Sequence, residues 1–180
     1  MTLSIEAKAA RIRLLLFDVD GVLTDGRVVV HADGTESKSF GIRDGIAIVW
    51  AQRAGLQVGF LSARTSATTP HRAAQLGVTI VHQGVPRKLE GYERIIANAR
   101  LADTEVAYMG DDIVDLAVLA RVGLSAAPAD AVAQVRSTVD WISSAKGGRG
   151  AARELIETVL RAQARWDAIV ASYAGEARRA

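Results

Sequence analysis

Short apolar runs recur along the chain at residues 14–19, 58–61, 78–81 and 106–109, with weaker ones at 123–126 and 141–142. Runs this short, bounded by turn formers, read as buried strands. The intervening stretches 46–54, 67–76, 89–101 and 113–121 carry helix formers and close near a glycine or a fresh turn signal. The alternation predicts an α/β protein, a doubly wound parallel sheet in three layers with right-handed crossovers.

Two stretches break the rhythm. Residues 27–31 and 36–40 look extended around Ala32-Asp33-Gly34-Thr35, which predicts a β-hairpin over about 26–41, inserted after the first strand. After Gly147-Gly148-Arg149-Gly150 the pattern predicts one long helix over about 151–173, with Leu155, Val159, Leu160, Trp166 and Ile169 near helical spacing. Residues 1–12, polar and rich in alanine, read as a frayed lead-in. No repeat, low-complexity tract or linker divides the chain, so one domain over 1–180 is expected.

Composition narrows the function classes. A chain of 180 residues buries a core without staples, and the absence of cysteine removes disulfide scaffolds, thiol catalysis and cysteine zinc sites. Twenty-two Lys and Arg against twenty Asp and Glu leave a net charge of +2, with no nucleic-acid signal. The first apolar run is interrupted by Asp18 and Asp20, well short of the roughly 18 residues a membrane span needs. With no leader pattern either, a cytoplasmic protein is expected.

Ligands of open parallel sheets gather at the carboxyl ends of the strands, so the residues that fall there matter most. The first strand runs into Asp18-Val19-Asp20-Gly21, the second into Ser62-Ala63-Arg64, and the fourth into Gly110-Asp111-Asp112 with Asp115 in the next turn. Lys88 follows the third strand, at a helix start. Carboxylates brought this close raise one another's pKa unless a cation intervenes, and oxygen donors without His or Cys suit Mg²⁺. A cation, Lys88 and the N–H groups of helix starts together make a site for a phosphoryl group. Asp18 is then the candidate nucleophile on phosphorus, and Asp20 the candidate acid and base.

The run Asp18-Val19-Asp20-Gly21-Val22-Leu23-Thr24-Asp25-Gly26, then Ser62, Lys88 and Gly110-Asp111-Asp112, resembles the four motifs of the haloacid dehalogenase superfamily of phosphohydrolases. The resemblance implies a Rossmann-like fold and an aspartyl-phosphate formed on Asp18. It also implies Mg²⁺ held by Asp18, the backbone carbonyl of Asp20 and Asp111, with Ser62 and Lys88 in the catalytic set. Asp112 and Asp115 then support these groups or cap the following turn. About 40 residues separate Asp18 from Ser62, and fewer separate Ser62 from Lys88, so no cap domain fits.

A narrower resemblance rests on Phe40-Gly41-Ile42-Arg43-Asp44-Gly45, Arg64, Arg72, Gln83-Gly84 and Gly147-Gly148-Arg149-Gly150-Ala151. These are similar to the 3-deoxy-D-manno-octulosonate 8-phosphate phosphatases. That likeness implies a capless, Mg²⁺-dependent homotetramer assembled through the hairpins, hydrolysing an eight-carbon sugar-acid phosphate on the route to lipopolysaccharide. The substrate contacts it points to are Asp20, Gly41, Ile42, Arg43, Asp44, Gly45, Arg64, Arg72 and Lys88, the arginines meeting carboxylate or phosphate as forks. Ser62-Ala63 stands where Thr-Gly is expected, and Val49 where some members carry an arginine. A nonulosonate 9-phosphate or another sugar-acid phosphate is the alternative substrate. A calcium loop fails because its twelfth position is Val29, and a signalling receiver fails because no Asp follows Val81-His82-Gln83.

Overall fold

The computed structural model describes residues 3–176. Six parallel strands form one sheet in the order β5 (Ile80–His82), β4 (Gln57–Leu61), β1 (Leu14–Phe17), β6 (Val106–Met109), β7 (Leu124–Ala127), β8 (Trp141–Ile142). β1 is buried along its whole length because both faces are covered. Alternation then divides its side chains: Leu15 and Phe17 enter one core, Leu14 and Leu16 the other.

The first core is roofed by α1 (Ile5–Ala9), α2 (Ile42–Arg53), α3 (Thr68–Gln75) and α7 (Ala151–Ala162). The second is roofed by α4 (Lys88–Ala99), α5 (Leu116–Leu119) and α6 (Ala133–Arg136). This is the three-layer, doubly wound arrangement expected. The chain winds outward from β1 through β4 to β5, then returns to the other side of β1 for β6. The gap between β1 and β6 is therefore the topological switch point, where such sheets bind ligands.

The hairpin forms, but is short: β2 (Val29–Val30) pairs antiparallel with β3 (Glu36–Ser37), and a bridge joins Thr24 to Phe40. It is the only insert between β1 and α2, and only α3 and β5 lie between β4 and α4, so among the described residues no cap domain covers the carboxyl edge.

Two expectations need correction. The predicted lead-in is ordered from Leu3: the Ser4 hydroxyl accepts from Ala7 N and opens α1, and Ala9 and Ile12 are buried. Gln163 ties it down by donating to the carbonyls of Ala9 and Ile12, at 3.3 and 2.7 Å. Burying a side chain such as Ile12 is worth about 1.5–3 kcal/mol, enough to hold one short helix in place. Met1, Thr2 and residues 177–180 lie outside the described residues.

The helix predicted over 151–173 is two. α7 buries Ala151, Ala152, Leu155, Ile156, Val159 and Leu160 on one face, then stops where Ala164 turns left-handed with φ 55°. The turn swings α8 (Trp166–Glu176) back toward α2, setting Trp166 edge-on to Trp50 with centroids 5.6 Å apart. Periodicity read both segments correctly and missed the stop, which falls at an alanine rather than a glycine. Among the described residues, no helix is long and apolar enough to cross a membrane.

Candidate active site

Register sets the carboxylates. Phe17 pairs with Met109 across β1 and β6, so Asp18 and Asp111 leave the sheet side by side at the switch point. Asp18 N donates to Met109 O at 3.0 Å, fixing the last peptide before the loop. That loop winds on Thr24, fully buried, whose hydroxyl accepts from Gly21 N and Gly26 N and donates to Val19 O. Gly21 has φ 92°, and a Cβ there would collide with the Asp111 carboxylate, so the close approach of the two loops requires glycine.

Asp18, Asp111 and Asp115 each offer a carboxylate oxygen within 4.8 Å of the others. Their freedom differs. Asp115 is fully buried, and both of its oxygens are engaged. One accepts from Lys88 Nζ and Tyr108 Oη, the other from the N–H groups of Asp111 and Asp112. Gly110 makes room for it, since a Cβ there would press on the Asp115 side chain. Asp112 is exposed and caps Ile113 N at 2.7 Å.

Lys88, the first residue of α4, is buried with its ammonium 2.8 Å from Asp18 and 2.5 Å from Asp115. Burial alone would lower its pKa, but the two carboxylates outweigh it and hold the lysine charged. Burial pushes the Asp18 carboxyl up to about 6 against the pull of Lys88. Asp111 rises further, to about 8, through burial and then the charges of Asp18 and Asp115. Burial and the same carboxylates keep the Tyr108 hydroxyl protonated as a donor. Three acids against one ammonium leave the pocket short of positive charge. Its free donors are oxygens of Asp18 and Asp111, a set that fits a hard divalent cation. Ser62, the residue after β4, is buried, its N–H donating to His82 O and its carbonyl accepting from Val85 N.

Asp20 faces the hairpin. Lys38 Nζ lies 2.8 and 2.9 Å from its two carboxylate oxygens, and an Arg64 nitrogen lies at 3.9 Å. Arg64 is in turn held by Glu36 at 3.0 Å. Sequence reasoning missed Lys38 and Glu36. Their signal was faint: two charges spaced by two on a strand, which land on one face.

The residues expected to read the sugar separate into groups. Arg64 stands beside Asp20, whereas Asp44 turns away and accepts from Gly150 N and Arg153 N at 3.1 and 2.9 Å, capping α7. Arg72 lies against the Phe40 ring and bonds Gln75, with its guanidinium where a Cβ of Gly45 would be. Asp44 and Arg72 are thus taken up by contacts within the fold. Gly41 caps α2 and leaves room for Asp44 and the carbonyl of Gly148. Ile42 and Arg43 are exposed, Arg43 opening on a groove with Arg149, Arg153, Glu154 and Glu157. The Gly147-Gly148 step is a seat for the site: a Cβ on Gly147 would strike Gly21 O.

The family model of haloacid dehalogenase-like hydrolases matches residues 61–155. The 3-deoxy-D-manno-octulosonate 8-phosphate phosphatase of Escherichia coli strain K12 is 40% identical over 161 residues, 89% of this chain and 86% of that protein. Among solved structures, the phosphatase of the same name from Yersinia pestis superposes with a TM-score of 0.89 at 38% identity, over 91% of this chain and 88% of that one. One from Moraxella catarrhalis, in complex with magnesium ion, phosphate ion and a KDO molecule, gives 0.92 at 33% identity, over 94% and 97%.

Proposed function

The chain belongs to the haloacid dehalogenase-like hydrolases, in the branch of the 3-deoxy-D-manno-octulosonate 8-phosphate phosphatases, and on that premise we propose that it hydrolyses this phosphate monoester to the free sugar acid and phosphate. The observation that carries the reading is the meeting of Asp18, Asp111 and Lys88 at the switch point of the sheet.

The positions of these groups support the following roles. An Asp18 oxygen attacks phosphorus as the bond to the sugar oxygen breaks, and Asp20 gives that oxygen its proton. Asp20 then takes a proton from water, whose oxygen attacks the phosphorus of the aspartyl-phosphate, and the bond to Asp18 breaks. Lys88, kept charged and immobile by Asp115, offsets the charge of the phosphoryl oxygens, and the Ser62 hydroxyl donates to one of them. Asp18, the backbone carbonyl of Asp20 and Asp111 are the groups that would hold Mg²⁺. The ion, when bound, supplies further positive charge for the transferring phosphoryl group.

Arg64, exposed at the rim beside Asp20, is the arginine best placed to meet the sugar carboxylate. An uncapped site of this kind stays wet unless something covers it. Val29 and Val30 on the hairpin are 58% and 72% exposed, an apolar pair that supports assembly with further copies of the chain, as a tetramer. The cytoplasm is the compartment proposed.

The test is phosphate release from the octulosonate 8-phosphate, a nonulosonate 9-phosphate and hexose phosphates, with and without Mg²⁺, using Asp18→Asn as the blank. Mg²⁺-dependent preference for the eight-carbon substrate is the expected result. Equal or better turnover of the nine-carbon substrate would replace the sugar and keep the mechanism. Retained turnover in Asp18→Asn would remove Asp18 as nucleophile.

A further inference from the structure

The hairpin does more than expose two valines. Glu36 and Lys38 are two apart on the strand that carries β3 and its continuation, so both point to the same side, and that side faces the carboxyl edge of the sheet. Ser37, between them, is exposed. Glu36 reaches Arg64, and Lys38 reaches Asp20.

The two cations around Asp20 are unlike each other. The Arg64 side chain is half exposed and stands 3.9 Å away, whereas the Lys38 side chain has no exposure and touches both carboxylate oxygens. Among the described residues, Asp20 is the only carboxylate within ion-pair distance of Lys38. A buried ammonium left unpaired is strongly unfavourable, so this pair holds the hairpin to the site as firmly as it holds the aspartate.

We propose that Lys38 is a positioning residue for the reaction: by donating a hydrogen bond to one oxygen of Asp20 and lying 2.8 Å from the other, which has no hydrogen-bond partner of its own among the described residues, it fixes the carboxyl group at the place where the leaving oxygen must receive its proton. The inference rests on the reading of Asp20 as acid and base given above. Proton transfer needs heavy atoms within about 2.6–3.2 Å, and a carboxyl group free to rotate meets that distance only part of the time. In this role Lys38 acts through Asp20 rather than on the phosphoryl group or the sugar. The hairpin thereby contributes to the chemistry of its own subunit.

The experiment compares the first turnover of two substrates in Lys38→Met. A sugar oxygen leaves poorly without a proton, whereas p-nitrophenolate leaves without one. We expect the first-turnover rate with the sugar-acid phosphate to fall by about 100-fold, with KM within about threefold of wild type. The first-turnover rate with p-nitrophenyl phosphate is expected to stay within about threefold. Lys38→Arg, which keeps a charged donor at that depth, is expected to recover most of the loss.

Ser37→Ala removes the bond between Ser37 and His31 within the hairpin and leaves both the Lys38–Asp20 pair and Arg64 in place, so the ratio between the two substrates should stay at the wild-type value. Equal losses on both substrates in Lys38→Met, a ratio shift of the same size in Ser37→Ala, or no loss on the sugar-acid phosphate would each overturn the proposal. If Lys38→Met does not fold, Lys38→Gln gives the same readout. Failure of the underlying reading looks different, since wild type itself would then release no phosphate from the sugar-acid substrate, or Asp18→Asn would still turn over.

Discussion

Lys88 Nζ lies 2.5 Å from a carboxylate oxygen of Asp115, and neither side chain meets solvent to any useful extent. The pair is held from behind by the Tyr108 hydroxyl and by the N–H groups of Asp111 and Asp112. Removing one member of a buried pair leaves the other uncompensated. Asp115→Asn is therefore expected to cost about 3 kcal/mol of stability by urea unfolding, and to lower turnover because Lys88 loses its orienting partner. A loss below about 1 kcal/mol would show that Asp18 alone suffices to hold Lys88.

Stability in the presence of a chelator should fall as pH rises. Asp18 and Asp111 have folded values of about 6 and about 8, above the usual carboxylate range. The stability linked to their protonation is complete below about pH 4 and is lost as pH passes those values. The protein without metal should thus unfold at lower temperature at pH 8.5 than at pH 5. Mg²⁺ at 100 times its Kd should restore about 2.7 kcal/mol. Asp111→Asn should flatten the pH dependence and abolish the Mg²⁺ response; a Mg²⁺ shift that survives in Asp111→Asn would place the ion elsewhere.

Asp44 tests a division of labour. Because its carboxylate caps α7 through Gly150 N and Arg153 N, Asp44→Ala should cost about 1–2 kcal/mol by denaturant unfolding and leave KM nearly unchanged. A rise in KM beyond tenfold with little loss of stability would return Asp44 to the substrate.

Val30→Asp places a charge on the exposed apolar face of the hairpin. Sedimentation velocity should show a smaller species than wild type, with reduced turnover of the sugar-acid phosphate. An unchanged sedimentation coefficient would move assembly to another surface.

The parallel sheet, the hairpin and the meeting of the strand-end carboxylates were legible because each rests on local pattern: apolar runs of strand length, turn residues at fixed spacing, and acidic residues just past strand ends. Asp18 and Asp111 could be paired from sequence once β1 and β6 were taken as strands meeting at a switch point. Three features were not legible. The stop at Ala164 has no glycine or proline to announce it. The turning of Asp44 toward α7 depends on where residues 147–150 return in space, which no local spacing encodes. No spacing around Lys38 points to Asp20, and only the fold of the hairpin over the sheet edge reveals its partner.

The break at Ala164 also settles where the first and last helices of the described residues lie. α1 leads directly into the amino end of β1, and Arg165, just past the break, bonds Ala54 O near the start of β4. The helices at both ends of the described chain are thereby gathered beneath the sheet, opposite the edge that carries the carboxylates. A surface tether or fusion partner attached through either helix would present the reactive edge outward, and turnover of an immobilised sample should match that in free solution.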